Sequence, residues 1–291
     1  MKILITGVNG MIGSIIAAHL LQYYDVIGTS IEETNHTGLP ICYLRSDISD
    51  AQSLAILPVD IDVIVHCAAV ITNDALSNVL LNVNCLGVQN IAAFAQKSNC
   101  KQVIYFSSLP IIGKPKQIPI TEEHPIDPPT VYHLTKYFGE ILFKKVLDDI
   151  LLTVFRIPSP IGEKTPSTKI IPTFVRNAIE NKDYCLLGHG KRTQNYIDIR
   201  DIAEAIYCAI EKKASGVFNI ASEHSYSNLE VAQKCISIFN SSSQICFSGE
   251  DKEEDYQWIV STDKAKKELG FIAKYSLDET LLTIGKNYKS L

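Results

Sequence analysis

Along the first 160 residues, short apolar runs alternate with stretches whose apolar positions recur at helical spacing. The runs Lys2–Thr6, Val26–Ser30, Ile41–Arg45, Asp62–Cys67, Lys101–Ser107 and Leu151–Ile157 read as strands. Helical spacing predicts helices from Met11 to about Tyr23, from about Leu76 to Ser98, and from Val131 to about Asp149. A further helix is expected after Asp47 or Asp50, either of which could cap it. The unbroken apolar character of Val63-Ile64-Val65-His66-Cys67 marks a strand buried on both faces, the habit of parallel sheets. Strand–helix alternation of this kind predicts an α/β fold built on a doubly wound parallel sheet.

Composition adjusts that picture in three ways. At 291 residues the chain has room for a large α/β domain and a smaller C-terminal α/β lobe. A net charge of −5 argues against a nucleic-acid surface. Eight cysteines without a C-x-x-C pair, scattered through apolar runs, indicate neither a disulfide framework nor a zinc site. They point to a reducing, cytoplasmic compartment. No apolar run approaches the length of a membrane span, and the acidic run Glu250–Asp255 reads as a solvated loop rather than a metal site.

The candidate chemistry gathers at strand ends. Gly7, Gly10 and Gly13 stand where the first strand turns into a helix, with Asn9, Met11 and Ile12 between them. That turn lets a dinucleotide diphosphate approach the backbone and the helix N-terminus. Beyond the second strand lie Ser30, Glu32 and Glu33 with no Arg or Lys nearby in sequence, which favours NAD and leaves NADP open. Asp47, followed by Ile48, reads equally as a helix cap or an adenine contact. Cys67, Ala68 and Ala69 are small enough to let backbone meet a cofactor, whereas His66 reads as a core histidine. Asn84 interrupts an apolar helical face and so has a polar task. Ser108, with Ser107 as the alternative, ends a central strand at the ligand crevice of such sheets. Tyr132 and Lys136, four residues apart, leave one helical face together. An ammonium beside the phenol is expected to lower its pKa from the usual value near 10, creating a proton donor and acceptor for hydride chemistry at a carbonyl.

Glycine turn, Ser108, Tyr132 and Lys136 in this order resemble the extended short-chain dehydrogenase/reductase family, in its NAD-dependent epimerase/dehydratase branch. Later stretches continue the likeness: Arg156–Gly162, Lys169–Pro172, Gln194–Asp201, Gly216–Ala221 and Ser261–Gly270, the last as a closing helix. The resemblance implies a Rossmann domain of residues 1–162 plus about 194–221, and a substrate lobe of about 163–193 plus 222–291. It further implies Ser108, Tyr132 and Lys136 as catalytic groups. NAD is then held by the glycine turn, Asp47, Ile48, Cys67, Ala68, Ala69, Asn84 and Pro158. A nucleotide-sugar substrate is met by Ser159, Lys169, Arg192 and Asn195. A homodimer through the two long helices follows from the same likeness, with Phe138, Ile141 and Leu142 available to that face.

Departures from the family pattern narrow the chemistry. Where dehydratases of the family carry Asp and Glu after the catalytic hydroxyl, this chain has Leu109 and Pro110, which exchange no protons. Gln194 and Ser159 replace the family's Arg and Asn. The expected activity is hydride transfer at a sugar hydroxyl or ketone, by an epimerase or a keto-sugar reductase. Reduction of a non-sugar carbonyl, or a non-catalytic NAD(P)-binding scaffold, are the alternatives.

Overall fold

The computed structural model describes residues 1–289. Each of the six expected strands forms within one residue of its expected bounds: β1 (Lys2–Thr6), β2 (Asp25–Ser30), β3 (Cys42–Arg45), β4 (Val63–His66), β5 (Gln102–Ser108) and β6 (Leu151–Ile157). Then follow β7 (Ser159–Ile161), β8 (Tyr184–Leu187), β9 (Thr193–Asp198) and β10 (Gly216–Asn219). β10 closes a parallel sheet of order β10-β6-β5-β4-β1-β2-β3. Every residue of β4 and β5 is buried, as a strand covered on both faces requires. The strand order reverses between β1 and β4, and such a switch point opens a crevice at the carboxyl ends of the strands.

Helices cover both faces. α1 (Met11–Leu20) opens the series and α6 (Ile199–Glu211) packs beside it, with Ile16, Ile202 and Ile206 in one apolar cluster. On the opposite face lie α2 (Asn78–Leu81), α3 (Gly87–Lys97) and α4 (Val131–Val146), which bury Ile91 and Phe143 against Ile64 and Tyr105. A third cluster belongs to the lobe, where α5 (Ile170–Ile179), α7 (Asn228–Phe239) and α8 (Leu277–Lys289) surround β8. Two strands complete that region: β11 (Ser225–Ser227) joins β9 and β7, and β12 (Ile245–Ser248) pairs with β8.

Several expectations are corrected here. No regular helix follows Asp47. Its carboxylate accepts from Ser49 N–H and that of Asp50 from Gln52 N–H, so both close local turns, and a single 3₁₀ turn forms at Ser53–Ile56. The long helix expected over Leu76–Ser98 is broken between α2 and α3 by a π-turn at Asn82–Leu86. The wider turn carries Asn84, which bonds sideways to the loop after β4 rather than packing in register. α4 stops at Val146. Lys144 and Lys145 occupy its last turn, where cations suit the helix dipole, and Asp148 and Asp149 fall outside it. The closing helix expected over Ser261–Gly270 is a short π-turn, Ala265–Leu269. Ala265, Leu269 and Phe271 bury themselves in the α1/α6 cluster, so that part of the C-terminal stretch packs on the main sheet rather than in the lobe.

Candidate active site

At the switch point the strand ends and the lobe enclose a cleft of about 520 Å³, a size suited to a small molecule. Gly7, Gly10, Met11, Ile12 and Gly13 form one wall. Gly7 has φ +66° and lies against Ala68, leaving no room for a side chain. A Cβ on Gly13 would stand 2.3 Å from the Gly7 carbonyl oxygen, so the close packing of this turn on α1 demands glycine. Gly10 caps α1 without a side-chain hydrogen bond, and the first helical turn contains no acid. The leading amide N–H groups of α1 are therefore free to meet an anion.

The opposite wall holds Ser107, Ser108, Tyr132 and Lys136. Ser108 is the last residue of β5 and lines the cleft at the strand's carboxyl end. Thr130 caps α4 by accepting from His133 N–H, which sets the first helical turn and with it Tyr132. Farther along the helix, Glu140 accepts two bonds from Arg156 on β6, Nε–Oε1 at 3.0 Å and a second guanidinium nitrogen to Oε2 at 2.8 Å. Both side chains are buried, and Arg156 also donates to the Glu122 carbonyl. This charge-assisted pair fixes α4 to the sheet.

Lys136 is 4% exposed, with its Nζ 4.7 Å from the centroid of the Tyr105 ring. Burial lowers its pKa to about 8, against smaller upward contributions from Cys67 and Glu140. For Tyr132 the shift runs opposite to the expected one: burial raises its pKa to about 12. Desolvation disfavours each charged form, and the Lys136 ammonium faces Tyr105 and Cys67.

Several expected cofactor contacts stand behind the wall instead of on it. Asn9 donates to the Thr34 carbonyl and accepts from His36 N–H, pinning the loop after β2. The Asp47 carboxylate is engaged by Ser49, Ile48 packs in the core beneath Gly87, and Ala68 backs Gly7. Asn84 is 2% exposed and ties Val70 to Thr135 of α4, so it positions the wall without lining it. The neighbourhood of Glu32 and Glu33 is also corrected. Register places Arg45 opposite Ser30, and its guanidinium bonds the Ile31 carbonyl and pairs with Glu33. Sequence distance had hidden this cation.

On the lobe side, Pro158, Ser159 and Lys169 line the cleft as expected residues. Arg192 and Asn195 do not. Arg192 pairs with Glu253, and Asn195 is buried and bonded to the turn at Ser222–Ser225. Strand alternation explains Asn195: on β9, Gln194 and Tyr196 face the cleft while Asn195 faces away, whereas Arg192 precedes the strand. Tyr196 was not foreseen, although its place two residues from Gln194 was a readable signal. Its hydroxyl and that of Ser107 are buried without partners, and both belong to lining residues. His133, Thr165 and Pro166 also line the cleft and were not foreseen.

The NAD dependent epimerase/dehydratase family model matches residues 3–221, spanning the sheet, the glycine turn and α4. The chain belongs to that family. As a member it is an NAD-dependent enzyme. It is similar to a UDP-N-acetyl-alpha-D-glucosaminuronate decarboxylase of Bacillus cytotoxicus, 30% identical over 84% of this chain and 82% of the relative. It is also similar to a UDP-glucose 4-epimerase of Lactobacillus helveticus, 25% identical over 100% of this chain and 98% of the relative. Among solved structures, the fold matches UDP-glucose 4-epimerase of Thermotoga maritima with a TM-score of 0.90, covering 100% of this chain and 99% of that one, at 21% identity. The glycine turn and the uncapped α1 fit the cofactor's diphosphate.

Proposed function

We propose that the protein is a nucleotide-sugar epimerase that inverts a carbinol centre of a hexose carried on a nucleoside diphosphate. The observation that carries this reading is the cleft wall. Its lining contains no Asp or Glu, and its ionisable side chains are Cys67, Tyr132, His133, Lys136, Lys169 and Tyr196. Leu109 and Pro110 follow Ser108 where an elimination would need carboxylates to take and give protons. Hydride chemistry at a hydroxyl needs only one proton carrier, and Tyr132 is placed for it.

The glycine turn, Cys67, Ala69 and Pro158 would hold NAD, which when bound supplies the hydride acceptor and donor. Ser108 would orient the reacting hydroxyl. Tyr132 would take the hydroxyl proton and later return it. Burial disfavours its phenolate and the Lys136 ammonium separately. Brought together they neutralise each other, so the phenolate forms only beside that cation. Lys169, exposed at the lobe edge with no ion pair among the described residues, would meet the nucleotide diphosphate.

Exposed Val79, Leu81, Leu86, Leu134, Phe138 and Ile141 on α2–α4 support the homodimer expected from the family. Light scattering giving a monomeric mass would remove that part. The eight cysteines are free, and no helix among the described residues is long and apolar enough to cross a membrane. Both suit a cytoplasmic enzyme.

The activity test starts from purified protein and UDP-hexoses of both configurations. An epimerase interconverts them without added reductant and without loss of water from the sugar. A product lighter by one water, or consumption of stoichiometric NADH or NADPH, would refute the reading.

A further inference from the structure

Between β7 and α5 the chain borders the cleft. Gly162 N–H donates to Thr165 Oγ1 at 2.8 Å, and Thr165 and Pro166 line the cleft, so this turn forms part of its roof. Lys164 leaves the turn in the other direction. Its Nζ donates to Ser14 Oγ at 3.1 Å, joining the lobe to the first turn of α1. Ser14 is 3% exposed.

The contact is electrostatically unusual. A helix N-terminus carries partial positive charge and favours anions, yet here it receives an ammonium. No acid occupies the first turn of α1, its cap is glycine, and Lys164 forms no ion pair among the described residues. Positive charge thus gathers from two directions at the end of α1 whose first residues, Met11, Ile12 and Gly13, line the cleft. An anion bound at that end relieves both.

We propose that Lys164 is a cofactor clasp: held to Ser14, it keeps the 162–169 turn down over the glycine turn and adds its charge to the attraction for the dinucleotide diphosphate. This rests on the epimerase reading, for which retention of the cofactor through the whole cycle is essential. Hydride removed from one face of the sugar must be returned to the other before the reduced cofactor that carries it departs. Release then requires the lobe turn to lift, and Lys164 acts as a positioning residue in the second half of the cycle.

The test is the rate at which labelled NAD leaves the full-length loaded protein into excess unlabelled NAD, at low and high salt. Wild type, Lys164→Met and Lys164→Arg are compared. Lys164 is solvent-exposed, so all three are expected to fold, which circular dichroism checks. Loss of one charge-assisted contact predicts release about tenfold faster or more in Lys164→Met. Its release should depend less on salt than that of wild type, and Lys164→Arg should restore both the slow rate and the salt dependence. Equal release rates and equal salt dependence in Lys164→Met and wild type overturn the clasp while leaving the epimerase reading intact. Failure of wild type to bind NAD at all overturns both.

Discussion

Replacing Lys136 with methionine is expected to stabilise the cofactor-free protein while abolishing its chemistry. The ammonium is almost wholly buried, and its pKa falls from 10.5 to about 8. Because the folded-state value is the lower one, the folded protein gives up this proton before the unfolded chain does. Below about pH 8 both states are protonated and the folded state bears the whole burial penalty. Between about pH 8 and 10.5 the penalty fades, and stability from this group rises with pH. The interval from 10.5 to about 8, at about 1.4 kcal/mol per unit, amounts to about 3 kcal/mol at neutral pH. Methionine keeps an unbranched apolar chain of similar reach in the same slot. For a chain of 291 residues, with an unfolding entropy of about 0.6 kcal/mol per kelvin, that difference is a rise in Tm of roughly 5 °C. Thermal and urea melts of both proteins, repeated from neutral pH to about pH 10.5, give the answer. The stability gap should favour Lys136→Met at neutral pH and close as pH rises. A less stable Lys136→Met at neutral pH, or a gap independent of pH, would refute the assignment of a strained buried ammonium.

Other substitutions probe the remaining parts. Tyr132→Phe is expected to lower kcat by about 10²–10⁴-fold with NAD affinity unchanged, since it removes only the proton path; steady-state kinetics with calorimetric NAD titration checks this. Gly13→Ala forces a Cβ to within 2.3 Å of the Gly7 carbonyl oxygen. The turn must open, so NAD should no longer raise the Tm of that variant. Glu140→Leu strands the buried Arg156 guanidinium and is expected to cost about 3–5 kcal/mol in denaturant melts, much of it recovered by the double variant Glu140→Leu/Arg156→Met.

What could be read along the chain follows from local physics. Parallel strands buried on both faces show as unbroken apolar runs, so β1 to β6 fall almost where periodicity puts them. The glycine turn is legible because close approach of backbone to backbone admits no side chain at Gly7 and Gly13. Spacing along α4 was enough to bring Tyr132 and Lys136 to one cleft.

Tertiary structure decided whatever depends on groups distant in sequence. Arg45 becomes a neighbour of Glu33 only when β3 pairs with β2. Arg192 is paired with Glu253, and Asn195 is held by a turn nearly thirty residues later. The pKa of Tyr132 moves up rather than down for the same reason, because the cost of burying a charge is set by the depth of the surrounding fold, and four-residue spacing carries no record of it.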